Sequence, residues 1–333
     1  MTIRIGVIGT GGMGGRHAHN LAHRTAHACV SAVMDADHSR ATAVAAACQA
    51  ARVFTDAEAL IGDDQVDAVI IASPDRTHAG LAQACIRAGK PALCEKPLAT
   101  TVADARAVVE TEVAAGRRLV QLGFMREFDP AHRQVHDVIT GGTLGRPLYF
   151  RGTHNNVGGG SRTADDVIVN SAVHDIHSAR WLLGGQVERA FTQVIPADPA
   201  RPDTCRLALV ELTFDHHRLA LIEMNAEAGY GYEVRVEVVC ERGSAASDGL
   251  PELRLRQAQA CTQPVEIDWL QRFDAAYVAE AQAWVQGLLA GAVGGPSTWD
   301  GYLAMLIAEA CIESARTSQP CAVPAPPRPS IYP

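Results

Sequence analysis

Short apolar, often β-branched runs alternate with longer segments in the first third of the chain, and in those segments apolar positions return every three or four residues. The runs predict strands buried on both faces; the segments between them predict helices. Strands are expected over 3–8, 28–34, 53–54, 66–72, 92–94 and 119–122. Helices are expected over 14–26, 40–50, from 57 onward, from the Ser73-Pro74 turn to 88, and over 103–115. Thr55-Asp56-Ala57-Glu58 reads as a capping-box-like start, and Thr101 stands where the last of these helices needs a cap. Strand and helix alternate with short turns, which predicts a doubly wound parallel sheet.

The rhythm changes after Gly123. Segments 147–154, 187–196, 206–214, 218–225 and 232–240 read as strands, and several alternate strictly, as in Arg206-Leu207-Ala208-Leu209-Val210-Glu211-Leu212. Alternation predicts an antiparallel sheet with one covered face. One helix interrupts over 171–183, stopped by Gly184-Gly185, and amphipathic helices follow over 274–289 and 302–318. The proline-rich tail excludes helix and is expected to lie extended over the surface or disordered.

The fold class is therefore α/β. A Rossmann-type parallel sheet spans 1–123, an α+β domain with an open, mainly antiparallel sheet spans 124–323, and a tail covers 324–333. The last helix is expected to return to the first domain. An open sheet with an uncovered face favours a homo-oligomer, a dimer or tetramer joined through that face.

Composition narrows the function classes. At 47% hydrophobic and 20% charged the chain is an ordinary globular one, and no apolar run is long enough for a membrane span. The N-terminus enters a strand at once, so no signal peptide is expected. The net charge of −8, with scattered basic residues, argues against a nucleic-acid partner. Nine cysteines, an odd count without a Cys-x-x-Cys pair, argue against a disulfide framework and for a reducing cytoplasm. Neither His17 with His19 nor His216-His217 shows the helical spacing and adjacent acid of zinc enzymes, and no metal is expected.

Chemistry concentrates at strand ends. Gly9-Thr10-Gly11-Gly12-Met13-Gly14 follows the first strand and opens the first helix. Gly9 permits a tight turn, Gly11 a close approach of backbone to pyrophosphate, and Gly14 close packing of helix on strand, while the helix N-terminus offers free N–H groups. Asp35 ends the second strand about twenty residues on, where a ribose-binding acid is expected. That acid favours NAD. Arg40 lies where it could neutralise a 2′-phosphate, which leaves NADP as the lesser candidate. Ser73, Pro74 and His78 follow the fourth strand at the same edge, in a turn that also reads as a helix start. Glu95-Lys96-Pro97 ends the fifth. The residue before proline is kept extended, so Lys96 stays out of any helix and is expected to reach toward the cofactor, where an ammonium can stabilise an alkoxide. On the helix over 171–183, Asn170 and His174 are spaced to share a face. From composition alone, His174 reads as a satisfied core histidine.

These motifs, with Gly123-Phe124-Met125-Arg126-Glu127-Phe128-Asp129-Pro130, Val173-His174-Asp175, Trp181-Leu182-Leu183-Gly184 and Tyr230-Gly231-Tyr232, resemble the Gfo/Idh/MocA oxidoreductases over nearly the whole chain, in the inositol 2-dehydrogenase-like branch. The resemblance implies an NAD-dependent oxidation of a ring secondary alcohol of a cyclitol or sugar. It implies Lys96 and His174 as the catalytic pair and Asn170 beside them. Met125, Arg126, His154, Asn155 and Tyr232 are implied as the polyol pocket. Gly9, Gly11, Gly12, Met13, Gly14, Asp35, Ser73, Pro74, His78, Glu95 and Lys96 are expected around the cofactor. The chain departs from the pattern twice. Asn170 and His177 stand where the resemblance leads one to expect acids. Losing a carboxylate near His174 and Lys96 removes a contribution that favours their protonated forms, so lower pKa values are expected for both. A dehydrogenase of another sugar, a catalytically reduced NAD- or sugar-sensing relative, and an NAD-dependent glycoside hydrolase are the alternatives.

Overall fold

The structure, a computed structural model, describes residues 1–158, 162–248, 255–257 and 259–332. It divides into two compact units that do not follow the chain in a simple way. One comprises Met1–Met125, Ala276–Met305 and the chain end from Pro327; the other comprises Arg126–Ala275 and Leu306–Pro326.

The first unit is built on β1 (Ile3–Ile8), β2 (Ala28–Met34), β3 (Arg52–Phe54), β4 (Ala68–Ile71), β5 (Ala92–Glu95) and β6 (Val120–Gly123). All are paired in parallel, in the order β3-β2-β1-β4-β5-β6. Every residue of β4, β5 and β6 is buried, which is why these strands are mostly apolar rather than alternating. Chain order reverses between β1 and β4, the switch point at which such sheets bind ligands. The helix over Ala57–Gly62 starts under an Asp56 cap, and that over Val102–Ala114 under a Thr101 cap. A later segment completes this core: Ala281, Trp284 and Val285, from the helix over Asp274–Leu289, join Ile5, Val7 and Leu21.

The second unit carries β7 (Pro147–Asn155), β8 (Val187–Ile195), β9 (Leu207–Phe214), β10 (Leu219–Asn225), β11 (Glu233–Cys240) and β12 (Gly243–Ser247). It also holds a small hairpin of β13 (Leu255–Gln257) and β14 (Ala260–Thr262), and the short edge strand β15 (Cys321–Ala322). The large sheet runs β12-β11-β7-β10-β9-β8-β15, antiparallel except where β7 meets β10. Alternate residues of β9 and β10 are buried, and the helix over Val173–Leu183 packs on β7 and β10. The opposite face mixes apolar and charged side chains: Leu221 pairs with Arg151 on one side and Glu211 on the other.

Three local features differ from the sequence expectation. A helix not anticipated there spans Pro130–Thr140; Asp129 caps it and Pro130 opens it, a cap-then-proline start that the sequence does show. The helix expected to begin at residue 171 begins as a regular helix at Val173, preceded by a wide π-helical turn over Ile168–Ala172. The tail is non-helical, but its end is not loose. Tyr332 is buried, with its hydroxyl on Glu112 Oε2 at 2.9 Å and Thr298 Oγ1 at 2.8 Å. Glu112 is fully buried and accepts four hydrogen bonds, from the Leu119 and Val120 N–H groups and from these two hydroxyls. Those four bonds hold the carboxylate and anchor the tail.

Candidate active site

At the switch point of the first unit, each loop glycine has a separate steric reason. Gly9 has φ +87°, and a Cβ there would sit 2.5 Å from the Ala72 carbonyl oxygen. A Cβ on Gly14 would lie 1.7 Å from the Gly9 carbonyl oxygen. A Cβ at Gly11 or Gly12 would meet nothing within 4 Å among the described residues, so the loop leaves open space over the start of the helix Gly12–His23. That helix has no side-chain cap and no acid in its first turn. Its free N–H groups and positive dipole end face the open space, and this cradle fits a pyrophosphate.

A cavity of about 520 Å³ adjoins the loop. Of the expected cofactor residues, Gly9, Gly11, Asp35, Ser73 and Pro74 line it, joined by Arg40 and Arg76. Asp35 accepts the Thr10 N–H and hydroxyl, the Asp37 N–H, and both Nε and Nη2 of Arg40. Burial alone raises the pKa of this carboxyl, but the hydrogen bonds from Arg40, Asp37 and Thr10 outweigh it, so the group stays ionised well below the ordinary carboxylate range.

The other expected cofactor residues do not line this cavity, and two of them brace the loops around it. His78 is buried with Nδ1 on the Pro97 carbonyl at 2.7 Å and Nε2 on the Ser73 carbonyl at 2.8 Å, which ties the loops after β4 and β5 together. Glu95 is buried and accepts from His17 Nε2 at 2.8 Å; His17 in turn meets Tyr277 edge-on. Burial pushes the Glu95 carboxyl up, yet the hydrogen bond from His17 and the nearby charges, Lys96 among them, hold it below its usual value. Lys96 is the first residue past β5, half-buried, with a cis bond to Pro97.

In the second unit Arg126, His154 and Tyr232 come together through Asp175, which sequence reading did not single out as a site residue. Arg126 Nη1 donates to Asp175 Oδ1 at 2.6 Å, and His154 Nδ1 meets Oδ2 at 2.8 Å. Tyr232 Oη lies 3.1 Å from His154 Nε2. His154 Nδ1 also lies 3.1 Å from Arg126 Nη2, so the imidazole is held between the guanidinium, the carboxylate and the tyrosine hydroxyl. Arg126 is 1% exposed and Asp175 0%. Burial works against the charged aspartate, but Arg126 and His154 hold its pKa down at about 2. Burial raises the Tyr232 phenol to about 12, so it remains a hydrogen-bond donor at neutral pH. A second buried cluster, Asp129 with His132 and a two-pronged Arg272, lies nearby. The guanidinium groups of Arg126 and Arg272 both lie over the ring of the fully buried Phe273, at 5.7 and 4.5 Å.

Tyr232 also lines a cavity of about 270 Å³ with Asn156, Arg162, Asp268 and Trp269. Asn156 and Arg162 converge on Ser171 Oγ, next to Asn170. Arg126 and His154 thus support Tyr232 from behind rather than line this space. Asn155 turns away, donating to Tyr230 Oη and Glu233 at 2.6 and 3.1 Å. Successive side chains of a strand point to opposite faces, a signal in the sequence that pairs His154 with Asn156 rather than Asn155. Met125 is buried and is counted with the first unit. His174 is buried in the first turn of its helix; Asn170 is half-buried in the π-helical turn, where 3.6-residue phasing does not apply. His177, where the resemblance leads one to expect an acid, has Nε2 2.8 Å from Glu127 Oε1.

Residues 3–124 match the model of an oxidoreductase family with an NAD-binding Rossmann fold, and residues 137–323 match that family's C-terminal alpha/beta domain. The chain is 45% identical to an inositol 2-dehydrogenase of Rubrobacter xylanophilus, covering 99% of this chain and 96% of the relative. It is 43% identical to inositol 2-dehydrogenase 2 of Saccharopolyspora erythraea, covering 100% and 98%. Among solved structures, the myo-inositol dehydrogenase from Lactobacillus casei in complex with NAD(H) and myo-inositol superposes with a TM-score of 0.94 at 30% identity, over 100% of both chains. With both of its halves matched and full-length relatives at this identity, the chain belongs to the Gfo/Idh/MocA family of NAD-binding oxidoreductases.

Proposed function

We propose that this chain oxidises a ring secondary alcohol of a cyclitol, myo-inositol or a close relative, to the ketone, with NAD as the oxidant. The observation that carries the reading is Lys96 at the carboxyl end of β5, on the same sheet edge as the glycine loop. Bound NAD supplies the hydride acceptor. The Lys96 ammonium donates to the substrate hydroxyl oxygen and stabilises the alkoxide as the C–H bond breaks. His174 takes the hydroxyl proton, a role suited to an imidazole at neutral pH. Asn170 orients the hydroxyl through hydrogen bonds without adding charge. Tyr232, backed by His154, Asp175 and Arg126, offers a fixed, un-ionised hydroxyl to the polyol. Ser73 and Pro74 wall the cofactor cleft, and His78 and Glu95 keep its loops in place.

We place the protein in a reducing cytoplasm on the strength of its nine free cysteines, six of them buried. Among the described residues no helix is long and apolar enough to cross a membrane. The mixed face of the large sheet, with Leu221 between charged neighbours, is suited to pairing with a second copy, as a dimer or tetramer.

The test is NAD reduction followed at 340 nm over a panel of inositols and aldoses. Activity is expected with at least one inositol, and Lys96→Ala is expected to lower turnover by about a hundredfold or more while NAD still binds. Absence of NADH with every inositol would favour a sensing relative. Undiminished turnover in Lys96→Ala would remove Lys96 from the mechanism.

A further inference from the structure

The acid that ends β2 has no acceptor site to spare. Oδ2 of Asp35 accepts from Thr10 N at 2.8 Å, Thr10 Oγ1 at 2.9 Å and Arg40 Nε at 3.1 Å. Oδ1 accepts from Asp37 N at 3.0 Å and Arg40 Nη2 at 2.8 Å. A carboxylate offers about four lone-pair sites, so a ribose diol can bind there only by displacing one of these donors. The displaceable one is Arg40, whose side chain is 51% exposed. An acid at this position ordinarily rejects a 2′-phosphate by charge repulsion. Here that charge is already paired.

Arg40 presents a second edge. A guanidinium carries five N–H groups, and Asp35 takes two of them. The rest are free to meet an anion without breaking the pair. Arg76, on the turn after Ser73-Pro74, lines the same cavity and is exposed. Among the described residues no carboxylate forms an ion pair with it. The charged groups lining the cavity are therefore one carboxylate and two guanidinium groups, a net positive charge. Asp37 is occupied in capping the helix His38–Cys48.

We propose that Arg40 and Arg76 form a phosphate site at the ribose end of the cleft, so that this chain binds and uses NADP as well as NAD. The proposal rests on the cleft being the dinucleotide site. Arginine pairs of this kind recognise phosphate through charge-assisted, two-pronged hydrogen bonds.

Isothermal titration with 5′-ADP and 2′,5′-ADP tests it without reference to turnover. The wild-type chain is expected to bind the two within about tenfold of each other. Arg40→Ala and Arg76→Ala are each expected to weaken 2′,5′-ADP, relative to 5′-ADP, by about tenfold or more. The ratio of kcat/KM for NADP to that for NAD should fall in parallel. Arg76 is exposed and, among the described residues, forms no ion pair, so its variant is expected to fold even if Arg40→Ala does not. The proposal is overturned if wild type binds 2′,5′-ADP more than tenfold weaker than 5′-ADP, or if neither variant shifts the ratio by tenfold. Failure of 5′-ADP itself to bind would overturn the dinucleotide reading of the cleft, and this proposal with it.

Discussion

Asp175→Asn gives the sharpest test of how the second unit is organised. The substitution keeps the shape and one acceptor but removes the charge that faces Arg126, which is 1% exposed and bonded to Asp175 at 2.6 Å. Stranding one member of a buried ion pair costs about 3–5 kcal/mol. The depressed pKa gives an independent figure. From an ordinary value near 3.8 to about 2, it corresponds to about 2 kcal/mol of stability at neutral pH. A loss of about 2–5 kcal/mol is a large part of a typical total stability of about 5–15 kcal/mol. It should lower the midpoint of thermal unfolding by roughly 5–15 °C for a unit of this size. Because the folded pKa lies below the unfolded one, the contribution is complete above pH 4 and fades as pH falls toward 2. Wild type should therefore lose stability over that interval, and Asp175→Asn should lose less. Exchanging Arg126 for Met as well should recover part of the deficit, since no charge is then stranded. Thermal and denaturant melts of the three proteins at pH 7 and pH 3 measure all of this. A single variant within 1 kcal/mol of wild type, with the same acid dependence, would refute the assignment of a buried charge pair.

Two further outcomes follow from the first unit. Gly14→Ala would place a methyl group 1.7 Å from the Gly9 carbonyl oxygen, so the loop must shift; NAD affinity by titration should fall about tenfold or more, the price of a displaced pyrophosphate cradle. Tyr332→Phe removes one of four donors to the buried Glu112 carboxylate and should cost about 1–3 kcal/mol in denaturant unfolding, despite lying at the end of a proline-rich tail.

Much of the architecture is legible in the sequence because its signals are local. Strand and helix periods, the caps at Asp56 and Thr101, the glycine loop and Asp35 at the end of β2 each depend on a few neighbouring residues. Alternation along β9 and β10 announces a sheet with one covered face, and the parallel sheet is announced by uninterrupted apolar runs. The candidate chemistry at Lys96 and His174 is legible as motif. Its support is not. Asp175 serves Arg126 from 49 residues away, Glu127 serves His177 from 50, and His17 serves Glu95 from 78. Nothing local distinguishes those side chains from ordinary surface charges.

The same division separates what sequence and tertiary structure each decide about this protein. By itself the chain determines which segments form strands and helices, that a dinucleotide loop opens the first helix, and that a lysine ends the fifth strand. These follow from steric and periodic rules that act within a few residues. Only the folded chain decides that Arg126 and His154 share one carboxylate with Tyr232 on His154, that Arg40 closes on Asp35, that the helix from Asp274 completes the first core, and that Tyr232 rather than Asn155 lines the second cavity. Burial makes each unpaired polar group costly, and long-range packing determines which distant partner satisfies it.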